Sequence, residues 1–463
     1  MKKLVILSII AGLSFTTLSA QDAAKTDGAA KKAEPEKTEK SEESEKKSKF
    51  KLPSFISTEG ADLSTGYRRQ RLFEIGFAET QLGLSNSWFA FGEVLDLFTG
   101  FSEDFNINQF LSKGELAVET AIYSKPVSAK FRIGSLFTMD LGIGMEANLF
   151  FNTSKATIDS LSSMLNLTKL DRNDTTALAN AFNSLNVQGD FYAAGSAFMF
   201  LNIGAEKSFL NKKLLVRAAP SVYVPVFYMP QTDVHLNTDR SDPAWLSLIG
   251  KESAGAWLFS SENMTAGMDL SLETRYAVWP ILDAGATIDN IPMVPATMRN
   301  KKTYEIDIDY QLPNIPYILD NQGMYPDLMD KLDDISMKFD FNETNSANTP
   351  RKVLRPTRLG FYAIIKPFKS RFLLIRPDLG CSLNTAADFS YFNWGLRGEL
   401  NLPVLSVSGG TRLFESVWSQ YITLVLDTRI FEFSLGVALR GPTFVSSWTA
   451  RGVGLSLGFK FGF

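Results

Sequence analysis

The chain has 463 residues, with 47 Lys and Arg against 50 Asp and Glu, one histidine, one cysteine and 36 phenylalanines. A formal net charge of −3 gives no electrostatic reason to expect nucleic acid, and the single Cys381 excludes a disulfide framework within one copy. After the amino terminus no stretch offers about 18 uninterrupted apolar residues, so any membrane crossing must be made by strands.

Lys2 and Lys3 precede an apolar run from Leu4 to Leu13, and Leu18-Ser19-Ala20 supplies small residues before Gln21, so residues 1–20 read as a secretory signal peptide. The run is shorter than the roughly 20 apolar residues an anchor needs. Residues 21–49 are mostly Ala, Lys, Glu, Ser and Thr without a large apolar side chain, which predicts a disordered periplasmic tether or spacer. Folded structure is expected over 50–463.

Phe73, Ile75 and Phe77 alternate with Glu74, Gly76 and Ala78, and Leu82 and Leu84 continue in a second phase, which predicts a first strand with a bulge near Glu79. Over 85–113 the period changes: Ser87 can cap a short helix with Trp88, Phe91, Val94, Leu95 and Phe98 on one face. A helix does not belong on the lipid side of a barrel. Trp88, Phe91, Leu95 and Phe98 are therefore candidates for a plug in the lumen or at its rim.

The strands then succeed one another with a period of two. Val127, Ala129, Phe131 and Ile133 oppose Lys130 and Arg132; Leu141 to Leu149 oppose Gly142, Gly144, Glu146 and Asn148; Met268, Leu270, Leu272 and Tyr276 oppose Asp269, Glu273 and Arg275. A base turned to lipid at the midplane costs about 2 to 4 kcal/mol. Lys130, Arg132, Asp269, Glu273 and Arg275 are accordingly expected to face inward, as lumen or gate residues. Leu116–Ile122, Phe191–Ala205, Val216–Val226, Leu282–Ile288, Tyr304–Tyr310, Leu359–Ile365 and the remaining segments to Phe463 bring the candidates to about sixteen. Barrels of one bacterial chain have even strand numbers, and some short candidates fit loop hairpins as well as spans. Fourteen is the central expectation, with twelve and sixteen also compatible.

Three insertions break the rhythm: 154–186 reads as two short amphipathic helices, 231–257 as a polar loop holding His235, and 313–351 as a loop with helical spacing at Leu328, Leu332, Ile335 and Met337. His235 has no triad around it in the sequence, so no catalytic residue is assigned. Glu305, Asp307 and Asp309 alternate on one strand and read as an acidic face in preference to a calcium site, so neither a metal nor a cofactor is expected. Gly409-Gly410 lies in a strand pattern and marks a kink or a close contact with the plug, not a phosphate cradle.

The chain ends RGVGLSLGFKFGF, with Val453, Leu455, Leu457, Phe459, Phe461 and Phe463 on one side and glycines, Ser456 and Lys460 on the other. This ending resembles the terminal strand that bacterial outer-membrane barrels present to their assembly machinery, which implies that Phe459, Phe461 and Phe463 are an assembly signal. From Phe50 to Phe463 the pattern resembles bacterial outer-membrane β-barrels. The size, the apolar helical stretch after the first strand and the lack of a soluble periplasmic domain are similar to the long-chain fatty-acid transporter family. That resemblance implies an all-β transmembrane antiparallel barrel in outer-membrane lipid, with a hatch and with hydrophobic small molecules as cargo. The family's Asn-Pro-Ala hatch motif is not found, since Leu84-Ser85-Asn86-Ser87-Trp88 stands there, and no ligand residues carry over. The expected function is a channel or transporter for small hydrophobic or amphipathic molecules, and the rival is a non-transporting adhesin or structural outer-membrane protein.

Overall fold

The computed structural model describes residues 71–88, 116–133, 137–167, 176–177, 180, 188–210, 213–239, 241, 245–260, 265–313, 317, 337–370, 372–386, 391–428 and 430–463. The expected signal peptide, the Lys/Glu-rich segment, Phe91, Leu95 and Phe98 lie outside the described residues. So do most of the expected second helix near 178–185 and the helical spacing at 328–335.

The strands in chain order are β1 (Phe73–Asn86), β2 (Ala117–Ile133), β3 (Phe137–Thr153), β4 (Gln188–Phe209), β5 (Leu214–Asp239), β6 (Trp245–Leu258), β7 (Gly267–Trp279), β8 (Leu282–Val294) and β9 (Ala296–Pro313). They continue as β10 (Met337–Val353), β11 (Thr357–Ile365), β12 (Leu373–Leu383), β13 (Tyr391–Asn401), β14 (Leu405–Phe414), β15 (Val417–Asp427), β16 (Phe431–Gly441) and β17 (Gly452–Gly462). Among the described residues the helices α1 (Lys155–Leu167) and α2 (Phe444–Trp448) accompany them. All pairings are antiparallel. They run β1–β2–β3–β4–β5–β7–β8–β11–β12 and on to β17, which pairs with β1. The result is a closed ring of fourteen strands. The closing seam is tied by the last residue, where Leu72 N donates to Phe463 O at 2.8 Å and Phe463 N to Phe73 O at 3.1 Å. The expected bulge in β1 is present, with Ala78 at φ 52° and the register shifting between Phe77 and Thr80.

The ring is inside out relative to a soluble protein. Glu273 and Arg355 are 1% and 2% exposed, whereas Phe361, on the outer face of β11, is 66% exposed. Ile422, Leu424 and Leu426 on β15 meet Phe433, Leu435 and Val437 on β16 and Leu455, Leu457 and Phe459 on β17, and all nine are exposed. An apolar surface of this extent would be unstable in water and matches hydrocarbon. β12 to β17 have 10 or 11 residues each, the length a tilted strand needs to cross a bilayer. Aromatic residues border the band at both ends. At one end Trp394 lies 5.2 Å from Trp418, and Trp418 lies 5.2 Å from Phe444 of α2; at the other, Phe73 lies 6.0 Å from Phe463 and Phe431 stacks on Phe459 at 6.3 Å.

Glycines inside the wall make room for rings. A Cβ at Gly285 would lie 2.2 Å from the Tyr362 ring, which is thereby seated to donate its hydroxyl to Glu273 at 2.5 Å. At Gly410 the close contact is with the neighbouring strand and not with the expected plug, since a Cβ there would meet the Leu396 carbonyl at 2.2 Å.

Four expectations change. Leu116–Ile122 and Val127–Ile133 are one strand, β2, because Lys125-Pro126 forms a bulge between Ser124 and Val127 instead of a turn. Tyr304–Tyr310 is not a span of its own: β9 continues β8 past Pro295. The insertion expected over 231–257 is largely strand, and so is the end of 313–351 from Met337 on, since β5 runs on to Asp239 and pairs with β6, β6 with β9, and β9 with β10. These strands build a four-stranded sheet that stands beyond the ring. Prolines at Pro295 and Pro356, which cannot donate to a ladder, mark the junction. Outside lipid a strand does not carry the large-against-small alternation of a span, so its pattern resembles that of a polar loop.

His235 is the fourth correction, for it lies on β5 within this projecting sheet and not in a loop. Its Nδ1 is 2.6 Å from the Asp190 carboxylate across the β4–β5 ladder. The Asp190 hydrogen bond is the main cause holding the imidazole pKa above its ordinary value of 6.5. A raised folded-state value means that the pair favours the folded sheet below the unfolded pKa and that this contribution fades as pH rises through the folded one. The His235 Cε1 resonance is expected to titrate above pH 6.5, and Asp190→Asn to bring that midpoint down; equal midpoints in the two proteins would show that the contact has no energetic weight.

Of the helical insertion at 154–186, α1 is present. Ser154 caps it, accepting from Thr157 N at 3.2 Å, and Thr157 in turn accepts from Asp190 N at 2.8 Å, which seats the helix on the start of β4.

Candidate functional site

Long connections gather at one end of the ring, the loop end, and short ones such as 210–213 and 280–281 at the other, the turn end. Near the loop end the lumen is crossed by charged side chains. Arg355 leaves the wall at Leu354-Arg355-Pro356, where the chain passes from β10 to β11 without strand pairing. Its Nε donates to Glu146 of β3 at 2.9 Å and its Nη1 to Asp269 of β7 at 3.0 Å, while the guanidinium lies 4.3 Å from the centroid of the Phe200 ring on β4. Arg358, one inward position further along, donates to the second Glu146 oxygen at 3.4 Å and to Glu415 at 3.2 Å.

Glu415 belongs to the two-residue turn between β14 and β15. Counted round the ring, β3 is third and β14 eleventh, eight places apart one way and six the other. The path Glu415–Arg358–Glu146–Arg355–Asp269 therefore runs nearly across the barrel. Every member is buried. Five charges in an enclosed space need mutual pairing, since an unpaired one would carry a large desolvation cost.

The turn that delivers Glu415 is itself unusual. Glu415 and Ser416 have φ of 47° and 73°, the left-handed pair that a tight hairpin prefers to fill with Asn-Gly. Neither residue is glycine, at a cost of the order of 1 kcal/mol each. The turn is held by the Glu415 N–H, which donates to Asn393 Oδ1 at 2.8 Å, and the carboxylate also accepts from Asn148 at 3.2 Å.

Aromatic residues flank the crossing on the taller side of the wall. Tyr123, Phe198, Phe200, Tyr223, Tyr228 and Trp257 pack with Met298 and Val353 into one buried cluster. Tyr223 donates its hydroxyl to Val353 O at 3.0 Å and accepts from Ala296 N at 3.3 Å, pinning both strand breaks. On the shorter side lies a small half-open cleft, bordered by Glu415, Asn148 and Pro356 and thus resting on the crossing.

The expected lumen residues are divided among several places. Asp269 belongs to the crossing. Glu273 faces inward on the same strand and takes the Tyr362 hydroxyl, over whose ring Arg376 lies at 4.5 Å. Arg275 follows toward the turn end. Lys130 and Arg132 occupy the last four positions of β2, also at the turn end, with Lys130 in register with Glu74 and Asp140. A second ionic group lies there: Arg71 contacts Asp427 at 2.7 Å and Glu74 at 3.0 Å, and Lys460 contacts Glu79 at 3.1 Å. Of the plug candidates only Trp88 is described; it is half-buried, and its N–H donates to Asn86 Oδ1 at 3.0 Å. Phe459, Phe461 and Phe463 all face outward.

Arg355, Arg358 and Glu415 were not singled out from the sequence. Alternation places Glu146 and Asn148 on the inward side. The one further local signal is Arg355-Pro356, a base next to a residue that interrupts strands.

The sequence matches no protein-family model and no curated protein. Solved structures similar in fold include the Ralstonia pickettii toluene transporter TbuX, at 8% identity over 85% of this chain and 90% of that one, with a TM-score of 0.38. A Pseudomonas aeruginosa FadL homologue is 7% identical over 84% and 89%, with a TM-score of 0.36. The translocator domain of the autotransporter NalP from Neisseria meningitidis is 9% identical over 85% and 90%, with a TM-score of 0.33.

Proposed function

We propose that the protein is an outer-membrane channel for small amphipathic or hydrophobic molecules, closed at rest by the ionic crossing from Asp269 to Glu415. The observation that carries this reading is the position of the crossing. It spans the lumen between an aromatic cluster and an open cleft, where a solute entering from the loop end must displace or pass it. In this reading the loop end faces the exterior and the turn end the periplasm. Residues 1–20 direct export, and Phe459, Phe461 and Phe463 guide assembly. The chemistry is that of passage and not of bond making.

Flux into proteoliposomes tests it. Small amphipathic alcohols are expected to enter faster than sugars of equal size, and Arg358→Gln, which releases Glu415, to raise the rate severalfold. Vesicles as tight as protein-free ones, for both the native protein and the variant, would favour the rival reading of a surface protein. That rival has its own support in the sheet of β5, β6, β9 and β10, which stands clear of the lipid band and offers a surface to other cells or matrix.

A further inference from the structure

We propose that the foot of the projecting sheet, where β9 and β10 leave the ring, binds the phosphate groups of a phosphorylated glycolipid in the outer leaflet through Arg299, Lys301, Arg351 and Lys352. The proposal rests on the channel reading only for its orientation, that the loop end faces the exterior.

Inside the ring arginines are answered by carboxylates, as Arg355 is by Glu146 and Asp269, and Arg217 by Asp140. The four bases at the foot of the sheet differ, for among the described residues none of them meets a carboxylate. The segments that carry them, 296–304 and 344–353, hold no acid. Arg299, Arg351 and Lys352 are exposed and Lys301 is half-buried. Clustered cations without counterions from the chain set up a positive potential that an external anion relieves. Register gathers them: Lys352 pairs with Thr297 and Val353 with Ala296. Ala296 and Val353 are buried in the aromatic cluster, so Thr297 and Lys352 turn outward, and Arg299 and Lys301 follow Thr297 on that side at steps of two. The Lys301 ammonium lies 5.4 Å from the Trp257 ring centroid and the Arg351 guanidinium 5.6 Å, so one indole steadies both bases. The indole is itself fixed, donating its Nε1 proton to Thr349 O at 2.9 Å.

Their level selects the partner. Thr265 N donates to Thr297 O at 3.0 Å, which ties the foot of the sheet to the segment that enters β7. Next on the wall, Met268 is in register with Val294, and both are exposed on the lipid side, as is Met293. The bases thus stand at the edge of the apolar band, where hydrocarbon gives way to headgroups. An acidic protein would answer the bases alone. A lipid with phosphates at the bases and acyl chains along Met268, Met293 and Val294 answers both halves of the surface. Arginine adds a planar fork that takes phosphate oxygens in pairs.

The test is lipid retention by the full-length protein in detergent, read by native mass spectrometry. Diphosphoryl lipid A is the probe, beside its dephosphorylated form, phosphatidylglycerol, inorganic phosphate and polyglutamate. The probe is expected to bind at least about tenfold tighter than either other lipid, and neither inorganic phosphate nor polyglutamate to displace it. Arg299→Gln combined with Lys352→Gln should weaken retention by about tenfold or more, as loss of two charge-assisted contacts implies. Lys207→Gln combined with Lys213→Gln, at exposed lysines of the turn end, should leave it unchanged. Arg351→Gln is a separate variant expected to weaken retention as well, and serves if the first pair fails to fold; heat-modifiable gel mobility reports whether each variant still forms the barrel. Native retention in the folded variants at the foot of the sheet, equal binding of the dephosphorylated lipid, or tighter binding of phosphatidylglycerol would overturn the proposal. So would displacement by inorganic phosphate or polyglutamate, or equal weakening by the turn-end pair. Retention is read without flux, so a barrel that holds the lipid and passes no solute would count against the channel reading alone.

Discussion

Replacement of Arg355 by alanine is expected to destabilise the barrel by about 3 to 5 kcal/mol, the range for removing one partner of a buried ionic group. Arg355 satisfies Glu146 and Asp269 at 2.9 and 3.0 Å and covers the Phe200 ring. Its loss leaves the carboxylates of Glu146 on β3 and Asp269 on β7 without the guanidinium that joins them, and the Arg358 bond to Glu146 is long at 3.4 Å. The same change opens the crossing, so ion conductance in planar bilayers should rise along with the loss of stability. Denaturant unfolding in lipid vesicles measures the first effect and single-channel recording the second. Arg355→Lys separates charge from shape: an ammonium cannot span the two acids as the planar fork does, so stability should recover in part while the lumen stays leaky. An unfolding midpoint and a conductance both equal to those of the native protein would mean that the crossing neither supports the wall nor closes it. Salt should change the native stability little, because screening acts weakly on buried pairs.

Leu435→Arg is expected to cost about 2 to 4 kcal/mol, the price of a base at the midplane of a lipid-facing wall. Leu435 lies midway along β16, exposed, with Leu424 and Leu457 beside it in register. In a water-soluble sheet a leucine this exposed would accept arginine within about 0.5 kcal/mol. The contrast is internal to the protein, since Asn348→Arg on the exposed face of β10, in the projecting sheet, should fall within that smaller range. Vesicle-based unfolding of the two variants measures the difference. Similar small effects at both positions would place the apolar face in contact with protein or water and remove the ground for a membrane span.

The architecture was legible because a lipid-facing strand must segregate its side chains with a period of two, and that segregation survives in any single sequence. Val453 to Phe463, Leu141 to Leu149 and Asp269 to Arg275 each told their own facing without reference to a neighbour. The errors followed the same logic. Leu116–Ile122 and Val127–Ile133 read as separate strands because the bulge at Lys125-Pro126 interrupts the alternation, and only the pairing of β2 with β1 and β3 on both sides of it joins the halves. His235 and the strands around it looked like a loop because the stretch after Pro230 is mostly polar and lacks the alternation of a span; their backbone groups are satisfied by one another.

What the amino-acid order determined alone is the solvent of each face: large apolar side chains outward, glycines and charges inward, the ring even in number. Only the tertiary structure decided which inward charges meet. Glu146, Asp269, Arg355 and Glu415 are separated by tens to hundreds of positions and come from segments distributed around the ring, so their pairing depends on closure between β17 and β1 and on the strand breaks around Arg355. Alternation reports the side of the wall a residue faces, not the residue opposite it across the lumen, and the crossing exists only in that second coordinate.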